Sequence, residues 1–117
     1  MEDIVLFGAT RGLRLTVELI HLVSRFEAFQ ILVSVLESDL AYNAQLMPRH
    51  TAEELASQFL ALFPEPAVFA TNGQFLPSPD LAIRLSTWNP LTPATFDTGV
   101  ICASPSTTGL LWVQDED

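Results

Sequence analysis

Hydrophobic residues are densest in the first third of the chain, between residues 14 and 36. Read as a helix, this stretch places four polar residues at i, i+4, i+7 and i+11, which is one stripe of a mostly apolar surface: Arg14, Glu18, His21 and Arg25. The pattern predicts a helix over about 11–25, capped by Thr10 and buried around most of its circumference. Before it, residues 3–7 (DIVLF) predict a short strand that ends at Gly8.

The next apolar segment, residues 29–36 (FQILVSVL), fits two secondary structures. A strand would have one wholly apolar face, made by Phe29, Ile31, Val33 and Val35, and the β-branched residues favour it. A helix would align polar residues on one side, namely Glu27, Gln30, Ser34 and Glu37. The polar stripe that ends at Arg25 does not continue in phase into this segment, and we therefore predict a strand.

The second half of the chain shows one helix signal followed by a series of strand signals. Thr51-Ala-Glu-Glu54 has the pattern of a capping box and predicts a helix over about 51–63, which Pro64 ends. Short apolar segments between turn residues then predict strands at 67–70, 81–85, 96–103 and 110–113. Asn72-Gly73 predicts a turn after the first strand, the polar loop 104–109 joins the last two strands as a hairpin, and residues 115–117 form a charged tail.

These elements predict one α+β domain over residues 1–117, with two main helices packed on a predominantly antiparallel sheet whose later strands form a meander. An α/β order with parallel early strands is the alternative. The composition, 49% hydrophobic and 16% charged, is typical of a globular domain. No apolar run approaches the roughly 20 residues of a membrane span. Glu2 and Asp3 stand where a signal peptide carries positive charge, which predicts a cytoplasmic protein.

The charge balance restricts the class of partner. Fourteen Asp and Glu oppose five Arg, lysine is absent, and the net charge is −9. This excess of negative charge disfavours nucleic acids and anionic membranes as partners and favours a basic protein. Trp88, in a predicted loop, is a candidate anchor for such a partner, because exposed aromatic residues are favoured at interfaces. The candidate contact residues are Glu53, Glu54, Trp88, Asp115, Glu116 and Asp117.

Residues 4–13, IVLFGATRGL, resemble the opening of the short-chain dehydrogenase/reductase family, in which a first strand enters a glycine-rich turn before a helix. The resemblance implies a dinucleotide whose phosphates lie near Gly8 and Gly12 and whose ribose binds Glu37. Two features depart from the family. Arg14 occupies the place of the third glycine, and a chain without lysine has no Tyr-x-x-x-Lys catalytic pair. We therefore expect no bound cofactor.

Cysteine and histidine chemistry is also sparse. With Cys102 as the one cysteine, no intrachain disulfide can form, in agreement with a reducing compartment. His21 and His50 are far apart in the sequence and lack the paired spacing of metal ligands. Cys102 lies between Ile101 and Ala103 in a predicted strand, where a cysteine is usually a small buried hydrophobe. We expect neither a catalytic nor a metal site.

The sequence therefore favours a non-enzymatic acidic protein that binds and blocks a basic protein partner. In size and charge, though in no motif, it resembles the small acidic immunity proteins of bacterial toxin systems, which implies that the partner is a toxin. One alternative is a small nucleotide-binding or enzymatic domain that uses the Gly8–Gly12 turn. Another is a homo-oligomeric accessory domain that pairs through exposed sheet edges.

Overall fold

In the computed structural model, which describes residues 1–79 and 83–116, helices cover both faces of an antiparallel sheet. The described elements are α1 (Glu2–Thr10), β1 (His21–Val23), α2 (Arg25–Glu37), α3 (Arg49–Leu60), β2 (Val68–Thr71), β3 (Gly73–Pro77), β4 (Ile83–Trp88), β5 (Phe96–Ala103) and β6 (Thr108–Asp115), with one 3₁₀ turn at Val17–Leu19. The main sheet has the strand order β1-β2-β5-β6, and β3 and β4 form a separate hairpin. All strand pairs are antiparallel, which confirms the α+β class and excludes the parallel alternative.

Strand β5 lies at the centre of the molecule, and two hydrophobic cores meet on it. Val100 and Cys102 face α2 and α3, where they pack with Phe69 of β2. Ile101 and Ala103 point to the opposite face and belong to the core under α1. Burial on both faces explains why this strand reads as an almost continuous apolar run.

The first 25 residues differ from the prediction. The segment predicted as a strand, residues 3–7, lies inside helix α1, and no helix covers 11–25. Helix α1 ends in a turn at Gly12, whose φ of 86° is in the left-handed region that favours glycine. The segment that follows is irregular. Its apolar side chains Leu13, Leu15 and Ile20 are nevertheless buried in the core under α1. The high density of apolar residues in this segment correctly indicated burial. The helix predicted from them was wrong.

The prediction of a strand at 29–36 was also wrong, because these residues form most of α2. This helix packs against both the sheet and α3, and its core side therefore extends over Ala28, Ile31, Leu32 and Val35. Such wide burial removes the amphipathic pattern that would have identified a helix. At 13 residues α2 is the longest described helix, and no helix in the described part of the chain has the length and hydrophobicity needed to cross a membrane.

The capping box belongs to α2 rather than to α3. The Ser24 hydroxyl accepts a hydrogen bond from the Glu27 amide at 3.0 Å, and Glu27 Oε1 accepts one from the Ser24 amide at 3.0 Å. Helix α3 is confirmed as an element, but it begins at Arg49 after an N-cap at Pro48 and ends at Leu60. Thr51 therefore lies inside the first turn, where it caps nothing.

The strands were predicted more accurately than the helices. Strand β5 has the predicted bounds, β2 begins one residue later than predicted, and the terminal hairpin is present with a longer β6 that includes Asp115. Asn72-Gly73 makes no hairpin turn, since β2 does not pair with β3. The later strands do not form the single meander that was predicted, because β3 and β4 pair only with each other. Of the strand predicted at 81–85, residues 81 and 82 lie outside the described residues, and β4 continues to Trp88.

Strand β6 forms one edge of the main sheet and pairs with β5 over eight residues without a register shift. Before Asp115 it contains neither a charged residue nor a proline, the usual features that protect an edge from further pairing. Self-association along this edge stays a prediction.

Replacement of Ser24 by alanine is expected to lower the free energy of unfolding by about 1 kcal/mol, because α2 loses its N-cap. Thr51→Ala is the matched control, with an expected change within about 0.5 kcal/mol, because Thr51 is not an N-cap. Urea denaturation of the two variants measures both values. Equal losses would show that the starts of α2 and α3 are not where the structure places them.

Candidate functional site

Trp88, the predicted anchor, packs against another aromatic residue of the domain. It ends β4 and is half-buried, and its ring lies 5.2 Å from that of Phe96, centroid to centroid, at an interplanar angle of 31°. Phe96 is in turn the register partner of Asp115 on β6. The fold thus brings Trp88 and Asp115 to the same end of the molecule. The indole Nε1 is buried and has no acceptor among the described residues.

The carboxylates of Asp115 and Glu116 bind other parts of the chain. Asp115 Oδ2 accepts hydrogen bonds from the amides of Leu40 and Ala41, at 3.1 and 3.2 Å. Glu116 Oε2 accepts a hydrogen bond of 2.5 Å from the Thr95 hydroxyl. Both residues therefore hold loops against the end of the sheet. Asp117 lies outside the described residues.

Glu53 and Glu54 are placed differently, on the exposed side of α3. Neither carboxylate accepts a hydrogen bond from any residue within 1–79 or 83–116, although Glu53 lies one turn after Arg49 and interacts with its charge. The two residues line a shallow polar surface, here called the acidic depression, together with His50, Ser57 and Gln58. Among the predicted contact residues in the described part of the chain, this pair is the one whose carboxylates make no hydrogen bond within the domain.

An apolar groove begins where the acidic depression ends. We call it the α2–α3 groove, and its lining residues are Arg25, Phe26, Phe29, Ser57, Leu60 and Ala61. Ser57 lines both the groove and the depression. Phe26 is 69% exposed, an unusual state for a phenylalanine, since full burial of such a side chain is worth about 1.5–3 kcal/mol.

The positive charge of Arg25, at one end of the groove, is matched by the groups around it. Its guanidinium donates hydrogen bonds to the carbonyl oxygens of Leu60, the last residue of α3, at 3.0 Å, and of Phe63, three residues later. It also pairs with Glu65 at 3.0 Å and lies over the ring of Phe69, 4.9 Å from the centroid. The hydrogen bond from Arg25 lowers the pKa of Glu65, which keeps this carboxylate ionised. Arg25 thus joins the start of α2 to the end of α3.

A second ion pair joins the opposite ends of the same two helices. Glu37, at the end of α2, is buried and receives a bidentate contact from Arg49, at the start of α3, with Nη2–Oε1 at 2.9 Å and Nε–Oε2 at 3.0 Å. Bidentate pairs of this kind fix geometry as well as adding energy. Because the helices are tied at both ends, the groove between them is already formed before any partner arrives.

Asp97 is completely buried, and no sequence pattern indicates its role. Its carboxylate accepts hydrogen bonds from the amides of Leu91 and Thr92, from the Thr92 hydroxyl, from Asn72 Nδ2 and from Trp112 Nε1. An isolated buried carboxylate is a common catalytic group, but here its oxygens are occupied by donors from the protein. Asp97 therefore holds the loop after β4 in place.

The thiol and the imidazoles form no catalytic pair. Burial raises the pKa of Cys102 to about 12, and the thiol is therefore protonated at neutral pH. His21 lies on β1 and Cys102 on β5, with β2 between them and an offset of two residues along β2, which places their backbones more than about 10 Å apart. His50 lies on α3, in the acidic depression. Among the residues that the structure describes, no group of three or more potential metal ligands occurs.

The region around Gly8 and Gly12 lacks the strand–turn–helix arrangement that the dehydrogenase resemblance implies. Gly8 lies inside α1, Gly12 follows the end of α1, and the next helical turn is the 3₁₀ turn at Val17–Leu19. The expected ribose-binding residue, Glu37, is paired with Arg49 at the end of a helix rather than at the end of a strand. A phosphate at the Gly8–Gly12 turn would therefore meet no α-helix N-terminus.

Comparison of the chain with protein-family models, curated proteins and solved structures finds no match. The contacts and charges of the acidic depression and the α2–α3 groove are therefore the basis on which function is inferred. The sequence predicted Glu53 and Glu54 as contact residues but not Phe26 and Phe29, because Phe26 follows the end of the predicted helix and Phe29 begins the predicted strand. The Ser24-x-x-Glu27 pattern was the signal that could have placed both on α2.

Proposed function

We propose that this protein is a non-enzymatic acidic binding protein that attaches to a basic protein partner through α3 and blocks the partner's surface. The observation that carries the proposal is the pair Glu53 and Glu54. These two adjacent carboxylates are exposed on a helix that ion pairs hold at both ends, and neither accepts a hydrogen bond within the described residues. A partner with the general character of a toxin, as the size and charge of the chain suggest, fits this proposal.

The distribution of the arginines supports attachment at α3. Two of the five arginines, Arg25 and Arg49, pair with Glu65 and Glu37. Arg11 and Arg14 follow α1, and the core under α1 lies on the opposite face of the main sheet from α2 and α3. The fifth, Arg84, lies on β4 and lines neither the acidic depression nor the α2–α3 groove. A basic partner that approaches α3 therefore meets carboxylates beside two arginines that already pair with Glu65 and Glu37. Long-range attraction of this kind raises the rate of encounter.

Blocking follows from the kind of surface that the partner would present. A protein that acts on a polyanion such as nucleic acid binds it through clustered Lys and Arg. When an acidic protein covers such a cluster, it removes the charge that attracts the polyanion. No catalytic group is required of the blocking protein, in agreement with the occupied carboxylate of Asp97 and the protonated thiol of Cys102.

The proposal predicts that neutralisation of Glu53 and Glu54 slows association with the partner by about tenfold, because these charges steer the encounter. The partner is first isolated with the tagged protein from the native host, and association is then followed kinetically with Glu53→Gln/Glu54→Gln. Association should also slow as screening shortens from about 10 Å at 0.1 M salt to about 3 Å at 1 M. Stability should fall by no more than about 0.5 kcal/mol, since Glu54 takes no part in a helix cap and Glu53 acts on Arg49 only through its exposed charge.

The matched control is Glu2→Gln/Asp3→Asn, which removes the same charge from α1, the helix on the opposite face of the sheet. This variant should slow association much less. An equal effect of the two double variants would show that only the total charge matters. An association rate that ignores both salt and neutralisation would leave the acidic residues with a role in solubility alone.

A further inference from the structure

We infer that the α2–α3 groove receives one large apolar side chain from a basic amphipathic helix of the partner. The inference rests on the proposed function and names the element of the partner that α3 and α2 recognise. It goes beyond charge, because it assigns a binding role to Phe26 and to the small residues that open the groove.

The shape of the groove follows from the spacing of its residues on two antiparallel helices. Phe26 and Phe29 lie at i and i+3 on α2, and α3 contributes Ser57 and Leu60 at the same spacing, followed by Ala61. Side chains in i and i+3 or i+4 rows form the ridges between which another helix packs. Because Ser57 and Ala61 are small, the space beside Phe26 is not filled by the protein itself.

Charge complementarity indicates what the rest of the partner element carries. The groove adjoins Glu53 and Glu54 through Ser57, and at its other end Glu65 pairs with Arg25. The positive charge of Arg25 is offset by Glu65, and carbonyl oxygens and the Phe69 ring also contact its guanidinium. An apolar anchor flanked by Lys or Arg therefore matches the groove along its length.

A helix suits this surface better than a strand does. Backbone amides and carbonyls in the middle of α2 and α3 are already bonded within their helices, and these helices offer no edge to which a strand could add. Recognition must then use side chains, as it does when an amphipathic helix lies in an apolar groove. A second copy of this chain is disfavoured as the occupant, because each copy has a net charge of −9.

The test uses three synthetic helical peptides as probes. The first is a Lys/Ala peptide with one central Trp, the second has Ala in place of Trp, and the third has Glu in place of every Lys. Fluorescence anisotropy measures their affinities for the full chain. We expect the Trp peptide to bind at least about tenfold more tightly than the Ala peptide, which is the scale of a buried anchor, and the Glu peptide to bind far more weakly.

Two variants test the groove and one serves as control. Phe26→Ser removes the exposed ring and Ala61→Leu fills the groove, and both should abolish the advantage of the Trp peptide. Leu76→Ser removes a side chain on β3 that is 56% exposed and should leave that advantage unchanged. Equal affinities of the Trp and Ala peptides for the wild-type protein would overturn the inference.

The two proposals fail in different ways. If salt and Glu53→Gln/Glu54→Gln weaken both basic peptides while Trp adds nothing, the acidic binding function stands and the groove inference is wrong. If Trp tightens binding but salt and neutralisation have no effect, attraction of a basic partner to α3 is wrong. Sedimentation that shows a dimer lost in Phe26→Ser would assign the groove to a second copy and would also overturn the inference.

Discussion

Replacement of Asp97 by alanine is expected to lower the free energy of unfolding by about 3–5 kcal/mol, a large part of the roughly 5–15 kcal/mol that stabilises a domain of this size. The side chain is completely buried. It accepts hydrogen bonds from the Leu91 amide at 3.0 Å, from the Thr92 hydroxyl at 3.2 Å and from Trp112 Nε1 at 3.3 Å, among others. Alanine would leave these donors buried without an acceptor, which is the costly case.

Two further variants make the measurement specific. Asp97→Asn keeps the shape but turns one oxygen into a donor that faces other donors, and it should therefore also lose stability. Asp3→Ala removes an exposed carboxylate from α1 and should change the free energy of unfolding by less than about 0.5 kcal/mol. Urea denaturation provides all three values. An Asp97→Ala midpoint close to that of Asp3→Ala would contradict the hydrogen-bond network.

The role of Asp97 shows what sequence patterns leave out. In the sequence it is one of fourteen acidic residues, and nothing nearby distinguishes it from those that stay in water. Its donors come from three segments: Asn72 after β2, 25 residues before it, the nearby residues 91–92 after β4, and Trp112 on β6, 15 residues after it. Only the tertiary fold brings them together, and for the same reason the internal bonds of Asp115 and Glu116 could not be predicted.

Elements whose signals are local were predicted well. The β5–β6 hairpin depends on two adjacent apolar segments and a short polar connection, and its strands were found close to their observed bounds. Helix α3 was found as an element from the Thr51-Ala-Glu-Glu54 pattern, although it does not use that capping box and buries Ala52, Ala56 and Leu60 instead of its exposed leucine, Leu55. The α+β class followed from the order of these elements. It is correct although the secondary structure predicted for the first third of the chain was wrong.

Helix α2 could not be recognised from periodicity, because its neighbours bury too much of its surface. Packing against the sheet and α3 allows β-branched residues such as Ile31, Val33 and Val35, which also suit a strand. The sequence contains three Ser/Thr-x-x-Glu patterns of the capping-box type, at Ser24, at Ser34 and at Thr51, and those at Ser24 and Thr51 stand near helix starts. The structure uses the first, while α3 starts earlier at Arg49, where the arginine can reach Glu37.

The sequence predicted one part of the candidate site, the carboxylates of the acidic depression, but not the other part, the α2–α3 groove. The exposure of Glu53 and Glu54 followed from a correct helix, whereas the α2–α3 groove depends on a helix that was predicted as a strand. Phe26 lies in the apolar first third of the chain, where no sequence pattern distinguishes it from core residues, although it is 69% exposed. An apolar residue on the surface is detectable only after the core has been assigned, and an interaction surface of this type is therefore the last feature that a sequence reveals.

Gly99→Ala is expected to lower the free energy of unfolding by about 3 kcal/mol or more, at the upper end of what overpacking costs. Gly99 lies on β5 opposite Trp112 of β6. A Cβ atom there would lie 2.0 Å from the carbonyl oxygen of Leu111 and 2.9 Å from the Cα of Trp112. Both atoms belong to the backbone of the paired strand, so that β6 would have to move away from β5 and lose ladder hydrogen bonds.

Gly8→Ala is the matched control, because its new Cβ would also lie too close to a neighbour, 1.9 Å from Leu15 Cδ1. That atom is the end of a side chain, which can rotate, and alanine is favoured over glycine inside a helix by roughly 0.5–1 kcal/mol. The two effects oppose each other, and the net change should be small beside that of Gly99→Ala. Thermal and urea denaturation of both variants measure the difference. If Gly99→Ala were as stable as Gly8→Ala, β6 could not lie as close to β5 as the structure places it, and the sheet edge that ends at Asp115 would need a different register.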